Sequence, residues 1–172
     1  LMNRYLVTAF AGVCIAITVC AENHIVIAKD TKVFEAPVAK DECAALNKND
    51  DPVILKTGMV FAVIERKGGW YVVEYSPGLR GMVMQNVIAM EDAIKVPSAG
   101  TFKVANNPDE SVVINRDGDK WLLESSAKKY EGRENDRTVI FTTTDGVAAY
   151  SVSNLSGKQV VYSLDNSVTG FF

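Results

Sequence analysis

The sequence predicts an all-β protein made of two small barrel-like domains. Short runs rich in Val, Ile, Tyr and Phe recur along the chain, each closed by Gly, Pro, Asn or Asp. Three of them follow one another in residues 57–81, TGMVFAVIERKGGWYVVEYSPGLRG, parted by Gly68-Gly69 and Ser76-Pro77-Gly78. Pro97-Ser98-Ala99-Gly100 then separates two self-contained β patterns, so a boundary is expected there, with domains over 22–96 and 97–172.

Residues 1–21 stand apart from both. Arg4 supplies a short positive region, residues 5–20 are uncharged and mostly apolar, and Val19 and Ala21 are small residues before Glu22. That is the pattern of a secretory signal peptide cut after Ala21. The apolar run falls short of the roughly 20 residues a membrane-spanning helix needs. The expected product is periplasmic or secreted, with no transmembrane anchor after processing. Valine precedes both Cys14 and Cys20 and suits a lipobox poorly, which leaves lipid anchoring at Cys20 as the lesser alternative.

Processing removes Arg4 and no acid, taking the formal net charge from −3 to −4. Residues 22–98 carry 9 basic and 11 acidic side chains and residues 99–172 carry 8 and 10, so neither half holds a basic stripe for a phosphate backbone. Nucleic acid is set aside as a partner. Cys43 alone survives processing, so no internal disulfide forms and the exported chain must hold by packing. Cys43 is either a buried small hydrophobe or an exposed free thiol.

In the first domain, residues 24–28 (HIVIA) and 32–35 (KVFE) read as strands, the second stopped by Ala36-Pro37. Residues 38–52 form a long polar excursion with room for one helical turn near 42–46. Val53-Ile54-Leu55 restarts a strand and Lys56-Thr57-Gly58 breaks it. In residues 70–75 the two-residue period puts Tyr71, Val73 and Tyr75 on one face and Trp70, Val72 and Glu74 on the other. Residues 85–88 end the unit with a short helical turn. The second domain offers strands at 101–104, 111–115, 120–125, 138–143, 147–152, 159–163 and 168–172. Asp117-Gly118-Asp119, Asp145-Gly146 and Ser156-Gly157 mark hairpins between them. Residues 127–137, AKKYEGRENDR, read as a charged connection facing solvent.

Several motifs in the first domain share an order. Lys32-Val33-Phe34-Glu35-Ala36-Pro37 is followed by the long loop and by Leu55-Lys56-Thr57-Gly58, then by Gly68-Gly69-Trp70-Tyr71-Val72-Val73 and Gly81-Met82-Val83-Met84. This layout resembles bacterial SH3-like domains over roughly residues 29–90. Met82 stands where the family usually has an aromatic, and Lys32-Val33-Phe34 where it has Asn-Val-Arg. The resemblance implies an SH3-like small barrel followed by a second small antiparallel β-meander or barrel, and a groove beside the long loop that takes peptides or cell-wall material.

Phe34, Trp70, Tyr71 and Tyr75 are therefore the candidate aromatic lining of a ligand groove, with Asp41, Glu42, Asp50 and Asp51 from the loop as its acidic flank. Since Trp70 and Tyr71 point to opposite faces, one of them must turn to the core. Residues 115–119 (NRDGD) have the look of a calcium loop, yet counting from Asp117 puts Lys128 where such a loop needs glutamate, so a hairpin turn accounts for them. Trp121 is expected in the core. One histidine and one remaining cysteine build no zinc set, and no Gly-x-Ser-x-Gly elbow occurs. No cofactor or metal site and no catalytic set is expected. The function that follows is non-catalytic recognition or scaffolding in the bacterial envelope, with peptide, protein or peptidoglycan as partner. The alternative is a secreted inhibitor or adhesion-type accessory protein acting through the second domain.

Overall fold

The computed structural model describes residues 24–164, so the signal segment and the strand expected at 168–172 lie outside the described residues. The first half contains β1 (His24–Val26), β2 (Thr31–Lys32), β3 (Ile54–Leu55), β4 (Val60–Lys67), β5 (Trp70–Ser76) and β6 (Leu79–Met84). Strands β1, β4, β5 and β6 hydrogen-bond in the order β1-β4-β5-β6, and β2 pairs with β3 alone. The segment expected as a strand over 32–35 is shorter than its pattern suggested. Phe34 still makes single bridges to Met82 and Ala44, which fold it onto the edge of β6. Three single-turn 3-10 helices, Asp41–Cys43, Gln85–Val87 and Glu91–Ala93, complete the half. Its core gathers Ile25, Ile27, Val33, Leu55, Val73 and Val83, with Tyr71 and Tyr75 packed against them.

The second half is a closed barrel. β8 (Gly100–Val104), β9 (Asn107–Asp117), β10 (Lys120–Ser125), β11 (Lys128–Asn135), β12 (Thr138–Thr142), β13 (Ala148–Leu155) and β14 (Lys158–Ser163) run up and down, each paired with the next. With seven strands in a meander, the first and last point the same way. The seam that closes the ring must therefore be parallel, and β14 does pair β8 in parallel at Val161 and Val104. The Asn106 side chain extends this short seam as a strand residue would. Its amide donates to the Ser163 carbonyl at 2.8 Å and its oxygen accepts the Ser163 N–H at 2.9 Å. Closure removes free strand edges, and side chains fill the interior. Trp121, Phe141, Ile114 and Leu123 are essentially fully buried there.

The charged segment 127–137 is not a solvent loop. Most of it is β11, paired with β10 on one side and β12 on the other. Its outer residues are charged because one face of a barrel strand meets water. Its inner face includes Gly132, where a Cβ would come within 2.7–2.8 Å of Phe141, Trp121 and Val139. The turns at its ends lack glycine. Ser126-Ala127 and Asp136-Arg137 all have positive φ, the conformation of tight hairpin turns, which is usually signalled by Asn-Gly or Gly-Gly. Residues 115–119 form the β9–β10 hairpin, with Asp117 opposite Lys120.

The halves share structure. β7 (Ile94–Lys95), before the expected boundary, pairs with β13 of the second half. Tyr162 on β14 joins the core of the first half, while its neighbour Val161 points into the barrel. Ser153 donates to the Gly58 carbonyl at 2.6 Å and Tyr162 to the Thr57 carbonyl at 2.9 Å. The Lys56-Thr57-Gly58 turn is thus the docking point. A Cβ at Gly58, whose φ is +89°, would sit 3.1 Å from Val160. Asp30 braces the turn from behind, accepting from Lys56 and from the Thr57 backbone. Those donors hold its carboxyl below the ordinary carboxylate range, the Lys56 hydrogen bond most of all.

Candidate functional site

The register of β5 divides the candidate residues. Tyr71, Val73 and Tyr75 face the core of the first half, and Trp70 and Val72 lie on the opposite face of the strand, Trp70 half-buried and Val72 buried. The bridge from Phe34 to Met82 carries the Phe34 ring against Trp70, edge to face at 5.7 Å between centroids and 82° between planes. Met82 lies opposite Val72 and Met84 opposite Trp70, so both methionines join the same outer strip. Met82, standing where an aromatic was expected, supplies a flexible apolar contact there instead.

The acidic residues are spread out. Asp41 is paired with Lys32 at 2.7 Å, and this neighbour lowers its pKa. Glu42 stands 4.0 Å from Lys40 on the same 3-10 turn, which the Glu35 N–H ties to the Cys43 carbonyl. Asp50 and Asp51 sit at the exposed tip of the loop, where the Asn47 side chain caps the turn by accepting the N–H groups of Asn49 and Asp51. Phe34 and Trp70 thus come together, Asp41 and Glu42 pair with Lys32 and Lys40 instead, and Tyr71 and Tyr75 go to the other side. Tyr71 instead meets the Arg66 guanidinium, 5.2 Å from its ring centroid. Cys43 is a free thiol, half-buried.

A larger concavity lies between the halves. This cleft of about 1050 Å³ has Phe61, Ile64 and Tyr75 on one wall and Tyr130, Val147 and Tyr150 on the other. Neighbouring residues reach it together on each strand: Val60, Phe61 and Ala62 on β4, and Tyr150 and Ser151 on β13, where Tyr150 also packs in the barrel core with Val152. Of the candidate residues, Tyr75 alone lines it. Burial first, and then the nearby Glu35 charge, raise the Tyr75 phenol pKa.

At the barrel end of the cleft stands Glu110. Its Oε1 accepts the Tyr150 and Ser125 hydroxyls, both at 2.5 Å, and its Oε2 accepts the Asn107 amide at 3.1 Å. Tyr150 is T-stacked on Tyr130, centroids 5.1 Å apart. Burial and the Glu110 carboxylate both raise the Tyr150 phenol pKa, so it stays a neutral donor at any physiological pH. Two further hydroxyls lining the cleft, Ser76 on β5 and Ser151 on β13, are buried with no hydrogen-bond partner. Sequence reasoning missed this set. Pro108-Asp109-Glu110 fall before the strand expected at 111–115 yet belong to β9, and Tyr130 falls in the segment expected as a charged connection. The one available signal was the run Ala149–Ser153, AYSVS, whose small polar residues alternate with apolar ones on a strand covered on both faces.

Among the described residues no three His, Cys, Asp or Glu side chains gather as a metal cage. No helix among them is long and apolar enough to cross a membrane. Comparison with known proteins supplies no relative: no family model, no curated protein and no solved structure matches the chain.

Proposed function

We propose that this chain is a non-catalytic recognition protein of the bacterial cell envelope, exported as its N-terminal segment indicates, which holds an extended peptide-like ligand between its two halves. The observation that carries the reading is the cleft. Its volume of about 1050 Å³ is at the upper end of ligand sites, its lining is mostly apolar, and its few polar groups converge. Clefts between packed units are where such sites concentrate. The resemblance of residues 29–90 to bacterial SH3-like domains supports a recognition role, with the binding face moved from the long loop to the opposite side of β5.

The test uses the mature chain, residues 22–172, on purified peptidoglycan and on its solubilised stem peptides. Ile64 and Val147 are 43% and 59% exposed at the cleft, so Ile64→Glu with Val147→Glu charges the opening at little cost to the fold. Loss of binding by this double variant, with its melting temperature unchanged, is the expected result. Binding that survives in the double variant but disappears on Asp50→Lys with Asp51→Lys would move the site to the loop face and overturn the reading.

A further inference from the structure

We infer that the ligand of the cleft is a basic peptide segment: a cationic side chain docked at Glu110, with its main chain running past Ser76 and Ser151. The inference rests on the cleft being the binding site. Glu110 is half-buried, and its three donors, Ser125, Tyr150 and Asn107, are all neutral. None of the ion pairs among the described residues includes it. Neutral donors orient a carboxylate and replace part of its lost hydration, but they leave its charge uncompensated.

The other charged side chains lining the cleft make no ion pair with it. Glu74 adds a second carboxylate, already engaged by the Gly78 N–H and by Arg80, and Lys128 brings a single exposed ammonium. An incoming ammonium or guanidinium meets a carboxylate held only by neutral donors, and two tyrosine rings beside it, whose faces attract cations.

Ser76 and Ser151 supply an independent observation. They are 5% and 1% exposed, they come one from each half of the chain, and both hydroxyls are orphaned. A buried hydroxyl without a partner costs stability, and such atoms in a native fold call for an explanation. Both residues line the cleft. Hydroxyls both donate and accept, which suits the alternating N–H and C=O groups of an extended main chain. A purely apolar ligand would leave them as they are.

Calorimetric titration of the mature chain with acetyl-Ala-Leu-Lys-Leu-Ala-amide, and with the same peptide carrying Glu in place of Lys, tests the inference. The Lys peptide is expected to bind at least tenfold tighter, and Glu110→Gln to erase that preference. Ser76→Ala with Ser151→Ala should weaken both peptides about fivefold to tenfold. The same pair should leave the melting temperature of the free protein unchanged or raised, which serines with a merely structural role would not do. Equal binding of the two peptides, a preference that survives Glu110→Gln, or full affinity in the double serine variant would each overturn the inference. If neither peptide binds while the Ile64→Glu, Val147→Glu variant still loses peptidoglycan binding, the cleft stands and the ligand class falls. If those rim substitutions leave peptide binding untouched, the cleft itself falls. A chain shortened after Leu164 that binds where the full chain does not would make residues 165–172 the occupant, and overturn an external ligand.

Discussion

The two halves of this protein solve the same problem by different means. The barrel half satisfies its backbone through a ring of seven strands of 5 to 11 residues, each paired on both sides. The first half has a four-strand sheet, a separate two-strand pair and isolated bridges at Ile27, Phe34 and Leu46. Its core is completed by a residue it does not own, Tyr162 of β14. A closed ring is held by its own ladder, whereas a small open sheet has to lean on something. Here it leans on the outer face of β13 and β14, where Ser153 and Tyr162 grip the 56–58 turn. The comparison implies an order of dependence: the first half needs the barrel more than the barrel needs the first half.

The strongest way to break that comparison is to damage each core in turn. Trp121→Ala removes a fully buried side chain from the barrel and should cost about 3–5 kcal/mol, with amide protection lost across both halves. Leu55→Ala, equally buried in the first half, should cost about 2–5 kcal/mol. By hydrogen exchange it should expose amides of β1 to β6 while β9 to β12 stay protected. Equal loss of protection in both variants would show that the halves unfold as one and that the dependence is mutual.

A smaller effect sharpens the account of closure. Asn106→Ala deletes the side chain that lengthens the parallel seam by two hydrogen bonds and should cost about 1–3 kcal/mol, with exchange accelerating first at Ala105 and Ser163. Uniform exchange around the ring would mean the seam is no weaker than the hairpins.

The smallest effect concerns the joint itself. Tyr162→Phe removes the hydrogen bond to Thr57 and should cost about 1 kcal/mol near neutral pH. Burial first, with the Asp30 charge adding to it, pushes the Tyr162 phenol up from 10.0 to about 12. A raised folded-state pKa means its contribution is complete below pH 10 and is lost as pH climbs towards 12. Denaturant titrations should therefore show wild-type stability falling faster than that of Tyr162→Phe across this window. Parallel curves would show that the phenol does not bury its proton at the joint.

Much of the barrel was legible because its pattern is local. Residues 120–125 read as a strand from alternation alone and match β10 in full, and the hairpins at Gly118, Gly146 and Gly157 are signalled by residues that tolerate positive φ. β11 was not legible, because Ser126-Ala127 and Asp136-Arg137 take the same conformation without glycine, and because a strand with one wet face can carry charges freely. The candidate site shows the same division. The outward and inward faces of β5 followed from its period of two, and Phe34 and Trp70 met as an aromatic pair. The cleft did not follow, since its walls come from strands that meet only after the halves dock.

What the sequence determined by itself was the all-β class, most of the barrel strands and the burial of Trp121. These rest on period, turn chemistry and side-chain size, which act over a few residues. Only the tertiary structure decided the ring closure, the sharing of Tyr162 and the gathering of Glu110, Tyr130, Tyr150, Ser76 and Ser151 around one cleft. The physical reason is that each of these depends on pairings between residues far apart in the chain. Whether such pairings form is set by the packing of whole faces rather than by any local preference.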